Sequence, residues 1–166
     1  DKLKKKNLVD IELEILCLSS YKPLIEYKWS NDIRNMLEFS NIVKEQIIEP
    51  EKEKFLKKSL TSSQINDLNS LVVKKQYEVN PYPRWKKIAL NNIQKFPLNY
   101  LKDLKMNINE DKIKTWKTTE VLVAGCGTGQ HAITTATKFK NSRVTAIDLS
   151  ASSLSYAKRK ADELKI

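Results

Sequence analysis

The chain contains three glycines, and all three fall within five residues, Gly125-Cys126-Gly127-Thr128-Gly129. The apolar run Val121-Leu122-Val123-Ala124 precedes them, and Gln130 to Lys140 after them reads as a helix. A second apolar run, Val144-Thr145-Ala146-Ile147, ends in Asp148, 19 residues beyond Gly129. Strand, glycine turn, helix, strand, acid is the order of a βαβ unit whose strand tips hold a nucleotide. Glycines at the turn let a ligand touch the backbone, where any side chain would stand in the way. The helix that follows offers unpaired N–H groups and the positive end of its dipole. An acid at the tip of the second strand can accept hydrogen bonds from both hydroxyls of a ribose.

The remaining 120 or so residues upstream read differently. Leu8 to Ser20 has helical spacing, with a trace of alternation at Ile11, Leu13 and Ile15 that also suits a strand. Leu24 to Trp29 reads as a short helix after Pro23. Asn31-Asp32 reads as the start of another through Val43, which Ile47-Ile48-Glu49-Pro50 ends or turns. Glu51 to Leu60 is expected as a charged helix with Phe55, Leu56 and Leu60 on one side. A loop and cap at Thr61-Ser62-Ser63 leads into a helix from Gln64 to Val79, with Ile65, Leu68, Leu71, Val72 and Tyr77 facing inward. Asn80-Pro81-Tyr82-Pro83-Arg84-Trp85 must be extended or turned, because two prolines stand within three residues. Helical spacing resumes from Trp85 to Phe96 and from Pro97 to Lys105. Residues 107–118 read as a loop, and Trp29 and Trp116 as core or interface residues. After Asp148, Ser150 is an N-cap for a helix from Ala151 to Ile166 with Leu154, Ala157, Ala161 and Leu164 on its apolar side. No internal repeat of the 34-residue helical type is present.

The organisation expected is therefore a helical region over 1–79, linker or lid helices over 80–118, and the start of a Rossmann-like sheet over 119–166. Two strong strand signals are fewer than a doubly wound sheet uses. The chain also begins at Asp1 and stops at Ile166, near the end of an expected helix. These features suggest a piece of a longer protein.

Composition excludes some classes. Charged residues are 30% and hydrophobic residues 40%, the balance of a globular chain. The net charge is +10, and residues 61–119 carry most of it, with 11 basic against 5 acidic groups. That excess admits nucleic acid or an anionic substrate. No arginine cluster, stacking ladder or zinc motif accompanies it, so a solvated lysine-rich surface is preferred. Cys17 and Cys126 are too few and too separated to suggest a disulfide framework, which suits a reducing cytoplasm. No apolar run approaches the 18 or so residues of a membrane span. The start, Asp1 to Lys6, lacks the apolar stretch of a signal peptide. No metal-ligand spacing is seen.

The glycine turn departs from the dinucleotide fingerprint G-x-G-x-x-G, since Gln130 stands where the third glycine would fall. It resembles instead the first motif of class I S-adenosylmethionine-dependent methyltransferases, a strand ending in G-x-G-x-G. The second motif of that family, a strand ending in an acid and then Leu-Ser, is similar to Val144 to Ser150. The helix after it is similar to Ala157 to Ala161. Gln76-Tyr77-Glu78-Val79-Asn80-Pro81-Tyr82-Pro83-Arg84-Trp85 adds a resemblance to a bacterial subgroup of such enzymes, often fused after tetratricopeptide-like helices. The resemblance covers about residues 64–166 and only loosely the first 60.

What the resemblance implies is an S-adenosylmethionine-dependent methyltransferase. The turn Gly125 to Gly129, with Cys126 and Thr128, would pass under the methionine and ribose. Asp148 would hold the ribose hydroxyls, and Leu149 would lie against the adenine. The family's adenine-binding polar residue and its substrate residues lie beyond Ile166, so catalytic residues and the acceptor are unassigned. On that reading this stretch by itself holds the donor and does not complete the transfer. Cys126 reads as a small buried filler more than a nucleophile. His131, in the first turn of the helix, either touches cofactor or substrate or serves packing. Tyr77, Tyr82, Arg84 and Trp85 read either as a lid, with Arg84 pairing the cofactor carboxylate, or as a rigid linker packed on the sheet edge. Two rival readings remain. One is an NAD(P)-binding oxidoreductase, and the other is a helical interaction module, binding a protein partner, with a non-catalytic cofactor domain.

Overall fold

The computed structural model describes residues 8–61 and 65–166. The lysine-rich start and the expected loop and helix start at Ser62, Ser63 and Gln64 lie outside the described residues. The chain forms two compact units, one ending at Phe55 and the other beginning at Leu56.

The first unit is helical. Helix α1 (Leu8–Tyr21) resolves the ambiguity at its centre: Ile11 and Ile15, four apart, are buried, while Leu13 is 59% exposed. Three 3-10 turns follow, Leu24–Glu26, Ser30–Ile33 and Leu37–Phe39, where short helices were expected. Then α2 (Ser40–Val43), a π-helical turn (Lys44–Ile48) and α3 (Glu49–Lys57) run on without a break. Pro50 was expected to end this segment. It stands instead in the first turn of α3, where a missing N–H is tolerated, with the widened turn directly before it. Ile11, Ile15, Leu24, Ile33, Phe39, Val43 and Ile47 make the core. The Gln46 amide crosses it, accepting from the Leu24 N–H at 3.1 Å and donating to the Ser19 carbonyl at 3.3 Å. Trp29 packs at the edge of that core, stacked on Tyr27. Phe55 was expected to face inward with Leu56 and Leu60, but it is 74% exposed and Glu53 is buried.

The second unit holds the sheet. Strands β1 (Thr119–Ala124) and β2 (Ser142–Ile147) pair in parallel, from Thr119 opposite Ser142 to Ala124 opposite Ile147. Between them runs the helix labelled α7 below, Gln130–Lys138, and after β2 the helix labelled α8, Ala151–Leu164. Upstream lie α4 (Leu68–Val79), α5 (Pro97–Asp103) and α6 (Glu110–Lys114). The α6 turn was read as loop; Asn109 caps it by accepting from the Lys112 N–H at 3.0 Å.

Three more expectations fail here. No residue of α4 is buried, and Leu68 and Val72, expected inside, are 78% and 69% exposed. Residues 85–96 are not a helix. Trp85 is instead buried, Asn91 donates to the Thr134 carbonyl at 3.3 Å, and Lys95 pairs as a short bridge with Phe139. Those three long-range contacts hold the segment out of the helix that its spacing suggests. The apolar side expected for α8 does pack inward, with Leu154, Ala161 and Leu164 against the clusters, and Ser153, Ser155, Tyr156, Arg159 and Lys160 are buried beside it. Trp116 is 46% exposed and not a core residue.

One face of the sheet, with Val121, Val123, Val144 and Ala146, packs on Cys126, Ala132 and Leu154. The other face is bare among the described residues: Leu122 is 64% and Ile147 49% exposed. Parallel sheets ordinarily bury both faces. The apolar residues of β1 on both faces fit a second layer.

Candidate functional site

Both strands end at the same tip, and the turn leaves β1 there. The Cys126 N–H, two residues past the end of β1, donates to the carbonyl of Ile147, the last residue of β2, at 3.0 Å. Gly125, Gly127 and Gly129 all have positive φ, at 68°, 54° and 83°, conformations that favour glycine. Their surroundings differ. A Cβ on Gly129 would stand 2.5 Å from the Ala157 Cβ, so this glycine lets the turn close onto α8. A Cβ on Gly127 would lie 3.8 Å from the Tyr82 carbonyl oxygen. A Cβ on Gly125 would meet nothing within 4 Å, which leaves that stretch of backbone bare toward the cleft.

Asp148 ties the turn to β2. One carboxylate oxygen accepts from the Gly127 N–H at 2.7 Å and the other from the Ser150 N–H at 2.9 Å. Each oxygen has a second lone pair, so the half-buried carboxylate can still accept from a diol. Helix α8 is capped by Ser150, whose Oγ accepts from the Ser153 N–H at 3.0 Å. Its first N–H, on Ala151, donates at 2.6 Å to Glu78, a carboxylate from α4. Burial pushes the Glu78 carboxyl up, but hydrogen bonds from Lys57, Ser152 and the Ala151 N–H outweigh it and hold it below its ordinary value. The start of α7 is different, because Gly129 precedes it and no side chain caps it. Of the two helix starts beside the strand tips, one is already filled by an acid and the other is open to a ligand.

The Asn80–Trp85 stretch is a strap across the turn. The Thr128 hydroxyl donates to the Pro83 carbonyl at 2.6 Å, and the Trp85 indole N–H donates back to the Thr128 carbonyl at 3.1 Å. The Tyr82–Pro83 peptide is cis. Trp85 packs edge-on to Tyr156 at 6.1 Å, and the Tyr156 hydroxyl donates to the Trp85 carbonyl. This is the packed-linker arrangement for Trp85, Pro83 and Thr128.

An open cleft of about 1420 Å³ takes in this tip and runs on past it as far as Ser142 and Ile166. Residues 125–131, Asp148 and Leu149 line it, together with Tyr77 and Tyr82 from the other side. Nine of the ten residues singled out from sequence thus share one cleft, Gly125, Cys126, Gly127, Thr128, Gly129, His131, Asp148, Leu149 and Tyr82. Arg84 is not among its lining residues; its guanidinium lies over the Tyr156 ring at 4.6 Å. Leu149 is 42% exposed, an apolar surface beside the acid. Burial first, and then the Asp148 charge, push the Cys126 thiol up to about 11, which makes it a poor nucleophile near neutral pH.

Sequence reasoning missed Glu78 as a site residue. One signal was available. An acid in the last turn of a helix is disfavoured by that helix's own carbonyl end, which hints that it serves another element.

Against known proteins, the cleft's own segment is the part that matches. A family model described as a methyltransferase domain matches residues 121–166. The match begins in β1 and takes in the turn, Asp148 and α8, and it supports a methyltransferase. With the parallel strand pair and its helices, it fits an α/β, Rossmann-like fold. No curated protein and no solved structure matches the chain. Among the described residues, no helix is long and apolar enough to cross a membrane, and no group of three or more His, Cys, Asp or Glu side chains could hold a metal.

Proposed function

We propose that the chain binds S-adenosylmethionine in this cleft and serves as a methyltransferase, the acceptor being unassigned. The observation that carries the reading is the joint held by Asp148. One carboxylate links the glycine turn to the tip of β2 and keeps free lone pairs beside an uncapped helix start. The residues present suit the group. Bare backbone at Gly125 allows close approach, Asp148 suits a ribose diol, and Leu149 offers an apolar surface to a base. Tyr82, 73% exposed on the strap, and Tyr77 suit a wall or lid over the same space.

When bound, the sulfonium supplies a methyl group already activated for displacement. What remains for the protein is to hold donor and acceptor in line and keep water out. The turn and Asp148 would fix the donor, with His131 near the reacting end. A general base is required only for acceptors that must lose a proton.

The second Rossmann reading, NAD(P), is disfavoured by Gln130 at the third fingerprint position. Its NADP form is disfavoured again by Asp148, a carboxylate where a 2′-phosphate would sit. Calorimetric titration tests the choice: heat is expected with S-adenosylmethionine and none with NADH or NADPH, and the reverse result would sink the proposal. Asp148→Ala should weaken S-adenosylmethionine binding by roughly 1.5–3 kcal/mol, the loss of hydrogen bonds to a charged acceptor.

A further inference from the structure

Glu78 lies in the last turn of α4, upstream of the segment that the family model matches. One of its oxygens accepts from the Ala151 N–H at 2.6 Å and the Ser152 N–H at 3.4 Å. The other accepts from the Ser152 hydroxyl at 2.8 Å and pairs with Lys57, whose ammonium also donates to Ser152 Oγ at 2.8 Å. The first N–H groups of a helix have no partner inside it. Here the first two go to Glu78 and the third to Ser150. A negative charge at this end is also favoured by the helix dipole. Glu78 itself does not line the cleft.

The consequence reaches the ligand-facing acid. Asp148 and Leu149 stand immediately before the capped start of α8, and Ser150 joins the two by donating its N–H to Asp148. On the other side Gly127 holds Asp148 at 2.7 Å. The three-residue turn is therefore pinned from one side by the glycine loop and from the other by a helix start that Glu78 holds in place. We propose that Glu78 is a positioning residue for the nucleoside, setting through α8 the direction in which Asp148 and Leu149 face the cleft. This rests on the proposed function.

A double-mutant cycle on the full chain tests it, with S-adenosylmethionine titrated calorimetrically into wild type, Glu78→Ala, Asp148→Ala and the double variant. Glu78→Ala is expected to weaken binding about tenfold when Asp148 is present and not further when it is absent, the coupling of residues in one network. Glu78→Gln keeps an acceptor for the Ala151 N–H, so it should stay within about threefold of wild type and mark the effect as geometric. Should Glu78→Ala fail to fold, Glu78→Gln is carried through the same two backgrounds, with about a threefold loss expected only where Asp148 is intact. Wild-type affinity in folded Glu78→Ala (in Glu78→Gln only where Glu78→Ala does not fold), or the same loss in both backgrounds, would overturn the proposal. A wild-type chain that gives no heat overturns the proposed function itself and this role with it. Amide exchange at Ala151 and Ser152, slow in wild type and fast in Glu78→Ala, separates the two failures because it reads the clamp without ligand.

Discussion

The three glycines share a pattern in sequence but do different things. Gly129 is a packing glycine, since its missing Cβ is the space that Ala157 occupies. Gly125 has no neighbour to clash with, so a side chain there meets only backbone strain and the open cleft. Gly129→Ala should therefore lower stability by about 2–4 kcal/mol, overpacking added to left-handed strain, as a clear drop in thermal midpoint. Gly125→Ala should cost only about 1–2 kcal/mol of stability yet abolish most cofactor heat. The two cysteines can be separated in the same way. Cys17 is exposed and should react promptly with a thiol reagent at pH 8, while Cys126 is buried and should stay silent until the protein unfolds. Because folding raises the Cys126 thiol from 9.0 to about 11, the folded state keeps a proton that the unfolded state loses. Its contribution to stability is intact below pH 9 and fades as the pH climbs toward 11, a loss that Cys126→Ala should remove from a pH series of melts.

At the level of elements, the strap and the turn form a reciprocal lock. Thr128 is 2% exposed, and both its hydroxyl and its carbonyl are spent on the Pro83–Trp85 segment. Trp85→Phe keeps the ring and removes the N–H, which leaves the Thr128 carbonyl without that donor. A loss of about 1–3 kcal/mol in chemical denaturation is expected, the cost of an unsatisfied buried acceptor. An undiminished midpoint would mean that the lock contributes nothing. Helix α4 shows the same logic at its other end, where Glu78 gives up a poor position in its own helix for a favourable one on α8.

At the largest scale, the sheet is packed on one side only among the described residues. Val123 is 7% exposed against the helices, and its neighbour Leu122, pointing to the opposite face, is 64% exposed. Val123→Ala should cost about 1.5–3 kcal/mol, the loss of two buried methyl groups and the cavity they leave, whereas Leu122→Ser should leave stability in thermal melts within about 0.5 kcal/mol of wild type. A large loss from Leu122→Ser would show that the second face is covered in solution. The division after Phe55 also bears on the upstream helices, because α4, expected with the N-terminal helical region, packs on α8 and belongs with the sheet-bearing unit.

Much of the site was readable before the fold, for a local reason. The spacing of three glycines, the β-branched runs beside them and the acid after the second run are short-range features, and short-range sterics alone dictate turn, helix and strand there. The caps at Ser150 and the helix start at Pro97 are local in the same sense. Residues 85–96 were misread because their helical spacing is weaker than the long-range bonds of Trp85, Asn91 and Lys95 that hold them in an irregular path. Arg84 was misjudged for the same reason, its partner Tyr156 lying 72 positions further on. Glu78 was invisible as a site residue because the helix start it holds, at Ala151 and Ser152, is more than 70 residues away. The sequence by itself determined the strand, glycine turn, helix and strand order and the acid that ends it, through local steric preference and spacing. Only the tertiary structure decided what holds that unit in shape, because those bonds join residues that chain order keeps far apart.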